Sequence, residues 1–292
     1  MNNKTKSYIY AISAVMMWST VATAFKITLR HTSVSGLVFL SSFFSLLCFA
    51  VILFGFRRTS PVSVFSLNRL KTGFFRGLLN PVIYYFVLFH AYSLLLAQHA
   101  QAINYTWGIT LGIAAALYLK QKFTVFDVIG SIISWGGVAF IIYTNAGPSG
   151  SINLIGVFLA LFSTVLWSFY WIWNADSAED EVISFFFNFL WGTIISGLIL
   201  IFTGFPGFSL EALAGGAWIG IFEMGITFLL WLRAMKLSEN ASDVTTLIFL
   251  SPFISLVFIG KFAGESVSLL SIIGLTIIVG GLIFRQKMKK KE

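Results

Sequence analysis

A single carboxylate, Glu223, stands in the middle of the long apolar segment AWIGIFEMGITFLL. An ionised group at the centre of a membrane helix costs roughly 2.5–3.5 kcal/mol on insertion scales, so an acid in this position is a functional candidate. Its carboxylate could hold a substrate ammonium group or exchange a proton. The alternative is a protonated side chain that only hydrogen-bonds a neighbouring helix. His90 is the second candidate for proton coupling, because imidazole changes charge near neutral pH.

Polar and aromatic side chains recur at helical spacing in several other apolar segments. Flat aromatic rings can form the walls of a cavity, and amide or hydroxyl groups can anchor the polar part of a ligand there. Packing between helices, with Trp and Tyr at the membrane interface, is the competing interpretation. The residues that we predict to bind substrate are Trp18, Asn80, Tyr84, Asn104, Tyr105, Trp167, Trp171 and Glu223.

Membrane helices must position these residues. The 292-residue chain is 58% hydrophobic and only 10% charged, with a mean hydropathy of +0.89. A helix needs about 20 apolar residues to cross a bilayer, whereas a membrane barrel would show short strands of strict alternation, which the sequence lacks. We therefore predict an all-α integral membrane protein. Its ten predicted spans are 8–29, 34–56, 73–96, 98–119, 125–144, 152–174, 183–203, 213–235, 240–260 and 268–286.

The placement of the charges explains the net charge of +8, which by itself could suggest a nucleic-acid binder. With the N-terminus inside, all of the 19 Lys and Arg residues except Lys26, Arg30 and Lys261 lie on or near cytoplasmic loops and termini. This bias follows the positive-inside rule. We predict that both termini are cytoplasmic and that the chain binds no nucleic acid.

The first helix imitates a secretory signal peptide, because Lys4 and Lys6 precede an apolar run and Ala22-Thr23-Ala24 resembles a cleavage site. We expect the helix to be retained, since it takes part in an internal repeat. The lone Cys48 permits no intramolecular disulfide. The sequence has no P-loop, metal-spaced His cluster or nucleophile–base motif, so we expect neither an enzyme, nor a cofactor, nor ATP-driven transport by this chain.

The two halves of the sequence resemble each other. AISAVMMWS (11–19) aligns with ALFSTVLWS (160–168), which pairs Trp18 with Trp167. Glycines pair at similar offsets, among them Gly73 with Gly216, Gly130 with Gly274, and Gly137 with Gly281. Chance similarity between apolar helices is the alternative explanation.

We predict two repeats of five helices, residues 1–146 and 147–292. Because five is odd, the two copies enter the membrane in opposite directions. Inverted repeats of this kind are typical of transporters that hold substrate near the midplane between the halves.

Polar faces are expected at 100° per residue in several spans, among them the sixth, where Ser163, Thr164 and Trp167 share one side. The face of the fourth span contains Gln101, Asn104, Tyr105, Gly108, Gly112 and Ala115. In the eighth span Glu223 shares a face with Gly216, Gly220, Thr227 and Ala234, which would leave room for a ligand. The repeat also places Glu223 over Asn80, so the two halves would offer paired polar positions.

Several segments resemble the drug/metabolite transporter superfamily, EamA type: WSTVATAFK (18–26), LSPFISLVFIGKFAGE (250–265) and the Gly-Gly pairs near the end of each half. Within it, QAINYTW (101–107) and LWSFYWIWN (166–174) are most similar to the bacterial aromatic amino acid exporters. The resemblance implies a multi-pass carrier of the bacterial cytoplasmic (inner) membrane, with a central cavity shared by helices one, three, four, six, eight and nine. The sequence departs from the exporters at Gly108, where they have Pro.

These observations predict a secondary transporter that exports small amphipathic metabolites, in particular aromatic or hydrophobic amino acids, by alternating access of the two halves. A carrier of cationic or quaternary ammonium compounds is the alternative, because aromatic rings and one carboxylate also suit cation–π recognition. A channel-like facilitator is a further alternative from a different class. The expected partners are the small-molecule substrate and the lipid bilayer, and a monomer suffices for this plan.

Overall fold

The computed structural model describes residues 2–118, 120, 124–144, 152–175, 179–204, 207–238 and 247–289. Every regular element in these ranges is a helix. Within these ranges eight helices, counting those that continue through a local distortion as one, are long and apolar enough to cross a membrane, and Leu247–Ala263 is a shorter apolar helix. The predicted all-helical membrane fold is confirmed, with about eight to ten helices.

The helices follow one another with short connections. Their bounds are α1 Asn3–Thr28, α2 Val34–Ala50, α3 Pro61–Val64, α4 Leu67–Gly77, α5 Tyr84–Leu94, α6 Ala97–Asn104, α7 Trp107–Tyr118, α8 Val125–Thr144, α9 Leu154–Ala175, α10 Glu181–Thr203, α11 Leu210–Phe222, α12 Ile226–Leu237, α13 Ser251–Phe258 and α14 Leu269–Lys289. Wider π-type turns over Val51–Phe56, Leu78–Ile83 and Ile259–Ala263 extend α2, join α4 to α5 and extend α13, and a 3₁₀ turn over Leu247–Leu250 precedes α13.

Side-chain caps start several of the spans. Ser33 accepts a hydrogen bond from the Gly36 N–H at 3.1 Å, and Ser209 accepts one from the Ala212 N–H at 3.2 Å. Asp180 does the same for the Val182 N–H at 3.0 Å. The first amides of a helix have no partner within the helix, so these caps fix where α2, α10 and α11 begin.

Contacts between the ends of the helices divide those ends into two groups. One group, which we call the N-terminal end, joins Ser7 to the Ala234 carbonyl, Arg57 to Asp180, Arg69 to Glu179 and Lys236 to Glu181. The other group, the opposite end, joins Lys26 to Glu265, Arg30 to the Ala263 carbonyl and Ser35 to Thr203. Successive spans therefore alternate in direction. The side of the membrane that each end faces remains a prediction.

Packing between the spans is symmetric on exchange of the two halves. The first span, α1, packs on the eighth (α12) and ninth (α13), and the sixth span, α9, packs on the third (α5) and fourth (α7). Likewise α2 packs on α11, and α10 packs on α4. Helices of one half thus find most of their partners in the other half.

Glycines bring the fifth and tenth spans, α8 and α14, into backbone contact. A Cβ atom built on Gly137 would lie 2.8 Å from the Gly274 carbonyl oxygen, and one on Gly281 would lie 2.6 Å from the Gly130 carbonyl oxygen. In contrast, a Cβ on Gly280 would meet no atom within 4 Å. Close approach at small residues is how membrane helices associate without a hydrophobic driving force.

Three spans are interrupted near their middle. Asn80 has extended backbone angles (φ −144°, ψ 116°) between α4 and α5. The fourth span breaks at Tyr105 and Thr106, and the eighth breaks over residues 223–225. The Thr106 hydroxyl donates to the Ile103 carbonyl at 2.8 Å, and the Ser45 hydroxyl donates to the Gly220 carbonyl at 2.8 Å. These bonds satisfy backbone groups that the apolar surroundings cannot.

The structure corrects the predicted helical faces of the fourth and eighth spans. After Thr106 the fourth span changes direction. Gly108 therefore contacts Leu282 and Gly112 contacts Arg285, and neither glycine continues the face of Asn104. In the eighth span Gly216 and Gly220 contact α2, and they leave no room for a ligand. In the fourth span the assumption of an unbroken helix was wrong. In the eighth span Gly216 and Gly220 lie before the break, and the packing of α2 against them is what periodicity could not show.

Candidate functional site

A cavity of about 80 Å³ lies inside the bundle at the level of the helix interruptions. We call it the central cavity. It is lined by residues of the first, third, fourth, sixth, eighth and ninth spans: Trp18, Val21, Ala22, Phe25, Tyr84, Leu88, Tyr92, Gln101, Asn104, Tyr105, Trp107, Trp167, Glu223 and Ile248. Six of the eight predicted substrate-binding residues are among them.

Among the described residues that line this cavity, Glu223 supplies the only carboxylate. It is the first residue after α11, where the chain leaves the helix, and its side chain is 8% exposed. The Tyr85 hydroxyl donates a hydrogen bond to Oε1 at 3.1 Å. The second oxygen, Oε2, has no hydrogen-bond partner among the described residues. A buried acceptor without a partner is costly, so this oxygen is suited to receive a group that enters the cavity.

Aromatic rings surround the carboxyl group. The Tyr84 and Trp167 rings lie 4.8 Å apart, centroid to centroid. The Trp18 ring packs on Trp231 at 5.3 Å and on Phe228 at 6.3 Å. Trp18 and Trp167, which the repeat pairs, thus face the cavity from different halves of the chain. Their flat surfaces suit an apolar or aromatic part of a ligand, or a cation over a ring face.

Asn104 and Tyr105 occupy the turn that ends α6. The Asn104 amide nitrogen donates to the Ser163 hydroxyl at 2.9 Å, which fixes the side chain against the sixth span. Ser163 in turn donates to the Ala160 carbonyl at 2.7 Å. The turn, rather than a continuous helix face, brings both residues to the cavity.

Three predicted site residues do not line the central cavity. Asn80 is 1% exposed, and neither of its amide atoms has a hydrogen-bond partner in the described part of the chain. Trp171 packs one layer away, with its ring 5.6 Å from that of Trp167. His90 is half-buried, and its Nδ1 lies 2.8 Å from the Phe86 carbonyl oxygen. The functional roles of all three remain predictions.

Several residues that line the central cavity were not predicted from the sequence, although helical periodicity could have indicated most of them. Val21, Ala22 and Phe25 follow Trp18 at spacings of three, four and seven, which is one face of a helix. Tyr92 likewise lies two turns beyond Tyr84. Trp107 comes after the break at Thr106, so no regular spacing could have indicated it.

Side chains close the cavity toward the opposite end of the bundle. The rings of Phe25 and Tyr92 meet edge to face at 5.2 Å. Just beyond them Lys26 Nζ donates to the carbonyls of Tyr92 at 2.9 Å and Leu95 at 2.5 Å. The same ammonium lies 3.9 Å from Glu265 Oε1. One lysine therefore ties α1 to the connections that follow the third and ninth spans.

The described residues contain no group of three or more His, Cys, Asp or Glu side chains that could hold a metal ion. What they offer is an internal, aromatic-lined cavity with one carboxyl group, in a helical bundle of membrane-spanning length. This arrangement can bind and release a small molecule.

Comparison with known proteins gives the family. Residues 5–143 and 154–285 both match the EamA-like transporter family. The uncharacterized transporter YvbV of Bacillus subtilis (strain 168) is 32% identical over 225 residues, covering 74% of this chain and 72% of YvbV. An uncharacterized transporter of Clostridium kluyveri is 30% identical over 190 residues, or 61% of this chain, and the match spans 59% of that relative's length.

A solved crystal structure has the same fold, with a TM-score of 0.66 at 20% identity over 98% of both chains. The helices of membrane-spanning length and the two family matches define a multi-pass membrane transporter. The chain belongs to the EamA-like transporter family, within the drug/metabolite transporter superfamily, and is a transporter rather than an enzyme.

Proposed function

We propose that this transporter exports small amphipathic metabolites, in particular aromatic or hydrophobic amino acids, across the cytoplasmic membrane of a bacterium. One observation carries the proposal: Glu223 Oε2 is buried, lacks a partner among the described residues and lies in an aromatic-lined cavity. A substrate ammonium group on Oε2 would supply the missing bond. The rings of Trp18, Tyr84 and Trp167 would hold the apolar side chain.

The size of the cavity supports a carrier that changes conformation. Its volume of about 80 Å³ is well below the roughly 300 Å³ at which ordinary ligand pockets begin. An amino acid therefore enters only if the surrounding rings move apart. A carrier that alternates between an open and a contracted site needs such movement, whereas an open channel does not.

The symmetry of the bundle supports alternating access between two inverted five-helix repeats, residues 1–146 and 147–292. Helices of each half pack on helices of the other half in the pattern expected of two such repeats. The interruption at Glu223 falls at the repeat equivalent of Asn80. Interrupted helices at corresponding positions are a feature of transporters built this way. In this proposal both termini are cytoplasmic.

Proton coupling is part of the proposal. If a proton and the substrate ammonium compete for Oε2, release of one drives binding of the other. His90 lies outside the cavity and is the second candidate, should Glu223 prove not to couple.

A second candidate function is transport of cationic or quaternary ammonium compounds. The grouping of Trp18, Tyr84, Tyr105 and Trp167 around one carboxyl group favours it, because ring faces attract cations.

Uptake of radiolabelled L-phenylalanine into proteoliposomes, measured with competing compounds, tests the proposal. We expect phenethylamine and L-phenylalaninamide to compete, and ethidium to compete weakly. Saturable uptake of ethidium without saturable uptake of L-phenylalanine would replace the amino acid proposal with the cation carrier.

A further inference from the structure

Two side chains of opposite charge hold the turn between α5 and α6, beside the closed end of the central cavity. Lys26 Nζ donates to the carbonyls of Tyr92 and Leu95. Glu265 Oε1 accepts a hydrogen bond from the Ala97 N–H at 2.8 Å. We propose that Lys26 is a latch: it keeps this end of the cavity shut while it is bonded to the two carbonyls, and the end opens when the ammonium moves to Glu265. The inference rests on the alternating access of the proposed function and names the contact that controls one of its two openings.

Each of the two charges lies at the helix end that favours it. The last carbonyls of α5 lack partners within the helix and carry the negative end of its dipole, which suits the Lys26 ammonium. The first amides of α6 carry the positive end, which suits the Glu265 carboxylate. Nζ and Oε1 are 3.9 Å apart. The break between the two helices is therefore stabilised from both sides, by one residue of each half of the chain.

The start of α6 is bound to the connection between the ninth and tenth spans. Gln98 donates from Nε2 to the Ser266 carbonyl at 3.0 Å and accepts a bond from the Ser268 N–H at 3.2 Å. These bonds add to the cap that Glu265 provides. The start of α6 and this connection thus form one unit, and Lys26 attaches α1 to it.

The Lys26 ammonium has a second acceptor close by. Glu265 Oε2 is buried and has no hydrogen-bond partner among the described residues. A short movement of the flexible lysine side chain would exchange the two carbonyls for this carboxylate, so the charge stays paired in both positions. The lysine side chain is 20% exposed, which lets water bind the released carbonyls. Two arrangements that both keep the charge paired are what a switch between closed and open states requires.

The latch is connected to the wall of the central cavity. Phe25, the neighbour of Lys26 in α1, and Tyr92, whose carbonyl Lys26 binds, both line the cavity and meet edge to face at 5.2 Å. The Phe25 ring also lies 6.5 Å from the ring of Tyr85, whose hydroxyl donates to Glu223. A ligand that parts the Phe25 and Tyr92 rings therefore strains the bonds of Lys26.

The sequence repeat does not supply this latch twice. It pairs Lys26 with Ala175 and Glu265 with Gln121, and neither equivalent residue is charged. Removing the charge of Lys26 should therefore affect the opposite end of the bundle selectively.

Thiol labelling tests the latch without any substrate. In a Cys48→Ala background, Leu88→Cys places a thiol in the lining of the central cavity, and His31→Cys places one on the exposed surface of the opposite end. Trimethylammonioethyl methanethiosulfonate, which does not cross the membrane, is applied to sealed vesicles of either orientation. From the side that labels His31→Cys, we expect Lys26→Met to raise the labelling rate of Leu88→Cys about tenfold, because two bonds to a charged group are lost. From the other side the rate should fall, because opening of one end closes the other.

Lys261→Met is the matched control, because Lys261 is an exposed lysine at the same end. It should leave both rates unchanged, and Lys26→Arg, which keeps the charge and the donors, should retain the slow rate. An unchanged rate in Lys26→Met overturns the latch. A rise from both sides also overturns it, since the whole bundle would then be loosened. If Lys26→Met does not fold, Lys26→Gln replaces it: its amide still donates, so a smaller one-sided rise is expected, and the wild-type rate overturns the latch.

Glu265→Gln tests the second acceptor. Gln can still accept the bond from Ala97, but the open arrangement loses its anion, so labelling of Leu88→Cys from the opposite end should become slower than in the wild type. A rate equal to or above that of the wild type overturns the exchange of partners.

Labelling also separates the latch from the proposed substrate. If the rates change as expected but L-phenylalanine is not transported, the latch stands and the proposed substrate fails. If L-phenylalanine shows counterflow while Lys26→Met is labelled like the wild type, the proposed function stands and the latch is overturned.

Discussion

Replacing Glu223 by Gln removes the charge from the central cavity and keeps the shape of the side chain. The Gln oxygen can still accept the bond that Tyr85 donates to Oε1 at 3.1 Å, so we expect the variant to fold. What changes is the partnerless oxygen Oε2. In the variant an NH₂ group replaces it, and that group cannot accept a bond from an ammonium.

The expected loss follows from that one contact. A hydrogen bond to a charged group contributes about 1.5–3 kcal/mol, and each 1.4 kcal/mol is tenfold in affinity. We therefore expect Glu223→Gln to weaken binding of L-phenylalanine about 10- to 100-fold. Binding of 3-phenylpropionate, which has no ammonium group, should not weaken. The pH dependence of uptake should also disappear, because the proton and the substrate no longer share a carboxylate.

Binding to purified protein by isothermal titration, together with proteoliposome uptake from pH 5 to 8, measures both effects. Glu211→Gln is the control, since Glu211 is an exposed acid in the first turn of the same helix, α11. Wild-type affinity and pH profile in Glu223→Gln would refute the reasoning. Glu223 would then be a structural acid that hydrogen-bonds Tyr85, and His90 would become the candidate for proton coupling.

Three further experiments test the packing, the cavity and the topology. Gly281→Val should destabilise the folded protein by about 1–3 kcal/mol through overpacking, measured by thermal unfolding in detergent, whereas Gly280→Val meets open space and should be tolerated; equal stability would contradict this. Trp18→Ala should weaken L-phenylalanine binding about tenfold, or ~1.4 kcal/mol, without unfolding; unchanged binding returns Trp18 to a packing role. In a Cys48→Ala background an impermeant maleimide should label His31→Cys in intact cells and Ser60→Cys only in inverted vesicles, and the reverse pattern would invert the topology.

Hydrophobic length was sufficient to predict an all-helical membrane fold, and six of the eight residues singled out from their polarity and helical spacing line the central cavity. Trp18 and Trp167, the two residues that the repeat pairs, both line the central cavity. Both residues sit in unbroken stretches of helix, where a period of 3.6 residues determines the direction of each side chain. Glu223 was found from the cost of its charge alone.

The interruptions could not be predicted in this way. Gly108 and Gly112 seemed to continue the face of Asn104 because the calculation of a face assumes that the helix does not bend. At the break the Thr106 hydroxyl donates to the Ile103 carbonyl, a local bond that the hydrophobic pattern does not indicate. Arg76 was counted with the basic residues that orient the chain, and only the folded structure shows that it is buried.

Counterflow in proteoliposomes tests the central claim most directly. Liposomes containing the wild-type protein are loaded with unlabelled L-phenylalanine and diluted into a trace of the labelled amino acid. Alternating access predicts transient accumulation of label above its equilibrium level, with saturation, and loss of this overshoot in Glu223→Gln but not in Glu211→Gln. Entry of label that rises linearly with concentration and shows no overshoot would contradict the account and indicate a channel-like facilitator.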